Sequence, residues 1–139
     1  MPSPPVFVDT SGFYALLVRG DPQHRKAAEI VDRARKTGAY MATTDYVVDE
    51  TATLLKARSL GHLNSGFFEL MDNSRALRFH FVDESRYQKA RAYFLRHADH
   101  GYSFTDCSSF IVMPEIGAVE ALTTDGHFRE AGFKVLLSP

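Results

Sequence analysis

Short apolar runs alternate along this chain with longer segments whose apolar residues recur at three- and four-residue spacing, and few folds satisfy both patterns at once. Residues 6–8, Val-Phe-Val, break at once into Asp9-Thr10-Ser11-Gly12, which reads as a buried strand running into a turn or a helix start. Residues 21–37 set Ala27, Ala28, Ile30, Val31 and Ala34 among charges ahead of Gly38, predicting an amphipathic helix with a C-terminal stop. Residues 39–43 give a weak second strand, and helices follow over 44–58 and 62–75, parted by Gly61. In residues 77–82, Leu77, Phe79 and Phe81 alternate with Arg78 and His80, as in a half-exposed strand. Beyond them, 83–98 reads as a helix, 105–113 as a helix that Pro114 can end, 119–123 as a strand, 126–131 as a short helix and 133–137 as a last strand. Pro2, Pro4 and Pro5 read as an extended lead-in. Such alternation predicts the α/β class, with a mostly parallel central sheet flanked by helices.

A chain of 139 residues fits one domain, 1–139, and its 45% hydrophobic content can fill a core. Its 16 basic and 17 acidic residues, net −1, argue against coating nucleic acid by bulk charge, but not against holding one strand locally. Cys107 stands alone and cannot form an internal disulfide, which suits a reducing compartment. With no signal-peptide pattern at the start and no apolar run of about 18 residues, the expected location is the cytoplasm, with no membrane association.

In a parallel sheet the crevice lies beyond the carboxyl ends of the strands, which directs attention to four acids. Asp9 follows the first apolar run and Asp125 follows the 119–123 run, so both fall on one sheet edge. Each has an ordinary reading: Asp9 as a helix cap, with Thr10 and Ser11 able to cap in its place, and Asp125 as half of an Asp-Gly turn. Glu50 sits between Tyr46 and Leu54 at the edge of its helix's apolar stripe, either as a boundary residue with its head in water or as a half-buried carboxylate needing a countercharge. Its neighbour Asp49 falls on the solvent side with Asp45, Thr53 and Lys56. Asp106 follows Thr105, a good N-cap, and either stabilises the first helical turn or, on the face of Ser109, Phe110 and Met113, points toward packed material.

Together the four acids suggest an oxygen-only donor set, suited to a hard cation such as Mg²⁺ or Mn²⁺. Carboxylates forced together repel, and a shared divalent ion relieves that repulsion while activating water against a phosphodiester. None of the six histidines pairs convincingly at a strand end, and they read as surface or boundary residues. Arg25, Lys26, Arg86, Lys89 and Arg91 are cations able to grip RNA, or else solvated helix faces. A covalent aspartyl phosphatase would want a second Asp where Ser11 stands. A nucleotide-cofactor enzyme would want a Gly-rich loop where Gly12 is alone, so no nucleotide cofactor is expected.

Four stretches, in order, resemble the PIN domain family, and more narrowly its VapC-type toxin ribonucleases of type II toxin–antitoxin modules. They are Val6 to Ser11, Val47-Val48-Asp49-Glu50-Thr51, Tyr102 to Cys107 and Ala121 to Phe128, with the strand-like Gly132 to Leu136 behind them. The resemblance implies a PIN-like three-layer α/β/α sandwich and metal-dependent cleavage of RNA, such as a tRNA or rRNA. By it Asp9, Glu50, Asp106 and Asp125 are the metal-site and catalytic acids, Thr10 or Ser11 assists the first, and Thr124 neighbours the last. It also implies an antitoxin partner and a homodimer. Two other functions stay open: an RNA-processing nuclease without an antitoxin, and a PIN-like module that binds a partner without catalysis. Cys107 replaces the small apolar residue usual after the third acid, and Pro114 shortens a helix that usually runs further.

Overall fold

The computed structural model describes residues 3–138, so Pro2 of the lead-in lies outside the described residues. In chain order the elements are β1 (Val6–Val8), α1 (Thr10–Leu17), α2 (His24–Lys36), β2 (Met41–Thr44), α3 (Asp45–Ala57), a 3₁₀ turn (Gly61–Leu63), α4 (Asn64–Asn73) and β3 (Leu77–His80). They continue as α5 (Glu84–Arg96), α6 (Phe104–Ile116), β4 (Glu120–Leu122), α7 (Gly126–Glu130) and β5 (Lys134–Val135). The five strands pair in the order β3-β2-β1-β4-β5, every pair parallel, so the sheet is wholly rather than mostly parallel. The chain steps from β1 through β2 to β3 on one side, then returns to lay β4 and β5 on the other. Right-handed crossovers therefore carry α1–α4 to one face and α5–α7 to the opposite one. Packing of α1 against α2 and α3, and of α5 against α6, agrees with that layering.

The reversal of direction falls between β1 and β4, the place where open parallel sheets leave a crevice. Two devices hold α1 there. Phe13 meets Phe67 of α4 edge-on at 5.1 Å, both at most 1% exposed, and burying each such ring contributes roughly 2–3 kcal/mol. Gly12 lies so close to the end of β4 that a Cβ would sit 2.1 Å from the Leu122 carbonyl oxygen. Only glycine lets the first turn of α1 press against β4, and Asp9 N–H donates to that same carbonyl at 3.2 Å.

Several boundaries differ from expectation. Pro114 does not end α6: the helix passes through it to Ile116 and stops at Gly117, whose φ of 76° permits the left-handed cap. Pro114 is exposed in the last turn, so its missing N–H removes one bond and its ring meets solvent. The helix also starts earlier than expected, because Ser103 and not Thr105 is its N-cap. β3 stops at His80, since Asp45 accepts from Val82 N–H at 2.8 Å and Asp83 caps α5; Phe81 leaves the sheet and is 66% exposed. The helix expected over 62–75 divides into the 3₁₀ turn and α4. No helix among the described residues is long and apolar enough to cross a membrane.

Candidate active site

Asp9 stands at the N-cap of α1, yet its side chain accepts no capping bond. Its Oδ2 accepts from Thr123 Oγ1 at 3.0 Å, and its Oδ1, buried, has no hydrogen-bond partner among the described residues. The carboxyl is 4% exposed, and burial, reinforced by the charges of Asp106 and Glu50, pushes its pKa up to about 7 from 3.8. The adjacent Thr10 backbone amide and the bond from the Thr123 hydroxyl oppose that rise without cancelling it.

Hydroxyls organise this side of the site. Thr123 Oγ1 gives its proton to Asp9 and accepts from Asp125 N–H at 3.0 Å. Its remaining contact, 2.9 Å from Ser11 Oγ, is therefore one in which Ser11 donates, and Ser11 in turn accepts from Thr124 N–H at 2.9 Å. Thr10 Oγ1 donates to Glu50 Oε1 at 2.5 Å, with Thr51 Oγ1 3.3 Å behind it. The helical-face reading of α3 holds in position: Glu50 is half-buried and turned to Thr10, while Asp49 is exposed.

The other side rests on helix starts. Asp106, 7% exposed, closes a capping box: Ser103 Oγ accepts from Asp106 N–H at 2.9 Å, and Asp106 Oδ2 accepts from Ser103 N–H at 3.0 Å. Burial raises the Asp106 pKa, Ser103 lowers it, Asp125 raises it and His127 lowers it. Asp125 caps α7, its Oδ1 accepting from His127 N–H at 2.9 Å. For these two residues the local helix-stabilising role and a place in the acidic cluster coexist.

Asp9, Glu50 and Asp125 line one open cleft of about 320 Å³ with Thr10, Ser11 and Thr124. Asp106 joins through Asp125, its donor oxygen lying within 4.8 Å of those of Asp125 and His127. All four acids named from the sequence thus meet at one edge of the sheet. His127 is the residue the sequence reading passed over. Its Nδ1 lies 3.2 Å from Asp106 Oδ2 and 3.4 Å from Asp125 Oδ1, with its ring edge-on to Tyr102 at 5.4 Å. Its place two residues after Asp125 was the available signal, since a short α7 turns it back onto its own cap. Among the suggested cations, Arg86 and Lys89 are both tied to Glu115, at 2.8 and 3.1 Å, while Arg25, Lys26 and Arg91 are exposed.

The residues fit a hard divalent cation. Buried Asp9 Oδ1 lacks a proton donor, and no Lys or Arg forms an ion pair with any of the four acids among the described residues. Comparison with known proteins agrees with this arrangement. The family model described as PIN domain matches residues 6–134. Two curated relatives, both named 23S rRNA-specific endonuclease VapC20, come from the CDC 1551 and H37Rv strains of Mycobacterium tuberculosis. Each is 36% identical over 128 residues, covering 92% of this chain and 95% of its own. The crystal structure of Mycobacterium tuberculosis VapC20, described as a Sarcin-Ricin loop cleaving toxin, superposes with a TM-score of 0.80 at 32% identity, covering 96% of this chain and 99% of that one.

Proposed function

The chain belongs to the PIN domain family, with the VapC-type toxin nucleases as its near relatives, and on that premise we propose that it is a Mg²⁺- or Mn²⁺-dependent endoribonuclease acting as the toxin of a toxin–antitoxin pair. Its substrate is a structured cellular RNA; an rRNA loop is the first candidate, from the names of the relatives. A cytoplasmic location, a cognate antitoxin and a homodimer belong to the same proposal.

The observation that carries the reading is the orphaned, buried Asp9 Oδ1, on a residue that lines a cleft with Glu50 and Asp125 while Asp106 stands beside Asp125. Asp9, Asp106 and Asp125 would hold the ion, with Glu50 completing the set and His127 beside it. When bound, such an ion offsets charge on the phosphate and makes water more acidic. The remaining work belongs to the chain. Thr123 fixes Asp9 through one oxygen and leaves the other without a partner among the described residues. Thr10 fixes Glu50 through Oε1, leaving its second oxygen to take the proton of the attacking water. The Ser103 N–H orients Asp106, so its carboxylate does not have to reorganise as charge develops.

Cleavage of total RNA, mapped with Mg²⁺ and again after complete chelation with EDTA, tests the chemistry. Discrete cuts with Mg²⁺ that vanish with EDTA are expected. Undiminished cutting after chelation would exclude the metal-dependent mechanism.

A further inference from the structure

The cleft has one basic side chain among the described residues, Arg58, and it has no counterpart in the reaction described above. Arg58 is the C-cap residue of α3, two turns beyond Glu50. It lines the same cleft as Asp9, Glu50, Asp21 and Asp125, yet its guanidinium forms no ion pair among the described residues. Its carbon Cζ lies instead over the ring of Tyr14, 4.9 Å from the centroid. Tyr14, on α1, lines the cleft as well and is half-buried. Among the described residues four other cations form ion pairs, Lys36 with Asp32, Arg86 and Lys89 with Glu115, and Lys134 with Glu120. Arg78 lies over Tyr40 with Cζ 3.9 Å from the centroid, but of all these cations only Arg58 lines the acidic cleft.

A guanidinium that forms no ion pair with the carboxylates of its cleft and lies over an aromatic ring is steadied by the ring and keeps its N–H fork free. That fork matches the paired oxygens of a phosphate. Tyr14, reached from the same cleft, offers a π-face of the kind on which unpaired bases stack. Favourable placement of a cation at a helix C-terminus explains a charge at position 58, but not its seat on Tyr14 within the cleft.

Resting on the nuclease reading, we propose that Arg58 and Tyr14 form a nucleotide clamp. Arg58 binds a backbone phosphate adjoining the one that is cut, and Tyr14 stacks on the neighbouring unpaired base. The clamp positions the strand and takes no part in bond cleavage. Its role is substrate affinity.

The test measures binding of a fluorescein-labelled RNA hairpin with an unpaired rRNA loop by anisotropy, in Mg²⁺ and at several salt concentrations. The parent is Asp125→Asn, which is cleavage-deficient on the reading above. Adding Arg58→Gln is expected to weaken binding about tenfold and to flatten the slope of log affinity against log salt by about 0.7, the contribution of one phosphate contact on a single strand. Arg58→Lys keeps a charge at the helix end but loses the planar N–H fork; it should lose about threefold and keep the slope. Tyr14→Leu should weaken binding about fivefold with the slope unchanged. In the otherwise native chain, Mn²⁺-induced thermal stabilisation should be the same with Arg58→Gln as without it. If the parent binds RNA while Arg58→Gln and Arg58→Lys match it in affinity and slope, the clamp is refuted and the nuclease reading stands. If the parent binds no RNA, both fall.

Discussion

The two halves of the acidic cluster are built on different physical terms. Asp106 and Asp125 sit at helix N-termini, where backbone amides and the imidazole of His127 engage one oxygen of each carboxylate. Asp9 and Glu50 depend on side-chain hydroxyls, and Asp9 is left with a buried oxygen that nothing in the chain engages. Burial holds both Asp9 and Asp106 above the usual carboxylate range, but only Asp9 has a buried oxygen with no partner among the described residues. The Asp9 half carries the larger demand for a cation, and the helix-anchored half supplies fixed oxygens for it.

Substitutions that remove a charge without changing shape should therefore stabilise the metal-free protein more at Asp9 than at Asp106. The largest effect is expected from Asp9→Asn. RNA cleavage should fall on the order of 10³-fold, while the metal-free protein at pH 8 gains about 2–4 kcal/mol from losing a carboxylate that is charged at a cost. Chemical denaturation in EDTA measures the gain. Asp106→Asn should cut activity comparably but gain less, because relief of its buried charge is offset by the weakened capping box, worth about 1 kcal/mol. Equal gains for the two variants would abolish the distinction between the halves.

Proton linkage sharpens the same contrast. The Asp9 carboxyl titrates near 7 in the folded chain against 3.8 unfolded, so the native state holds its proton more tightly. Its contribution to stability is complete below about pH 4 and lost as pH rises to about 7. In EDTA, Asp9→Asn should flatten the melting temperature over this window relative to the parent. Because a proton and an ion compete for Asp9, the rise in melting temperature with Mg²⁺ should be larger at pH 8 than at pH 6. A rise independent of pH would detach Asp9 from the ion.

Thr123→Val probes the hydroxyl hub at smaller amplitude. It leaves Asp9 Oδ2, Ser11 Oγ and the Asp125 N–H short of a partner, costing about 1–3 kcal/mol, and should lower cleavage about tenfold by loosening Asp9. A variant as stable and as active as the native protein would show the hub to be incidental.

Much of this was legible in the chain. The apolar runs at 6–8 and 119–123 placed Asp9 and Asp125 on one edge, because strand ends in a parallel sheet share a side. The 100° helical step separated Glu50 from Asp49. What stayed hidden depends on contacts between segments with no shared periodicity. His127 reaches Asp106 across 21 positions, and Arg58 lies over Tyr14 across 44. Ser103 and Thr105 are both good cap residues in the sequence, and only the reciprocal bond with Asp106 selects Ser103 as the cap of α6. Pro114 was read as a helix end because the sequence does not reveal that its ring faces solvent in a final turn closed by Gly117.

Calorimetric titration of the metal-free protein with Mn²⁺ at pH 8, for the native chain beside Asp9→Asn, bears most directly on the shared carboxylate site. Saturable binding by the native chain, lost or greatly weakened in the variant, is the predicted result. Superimposable isotherms, or no binding by either protein, would contradict it.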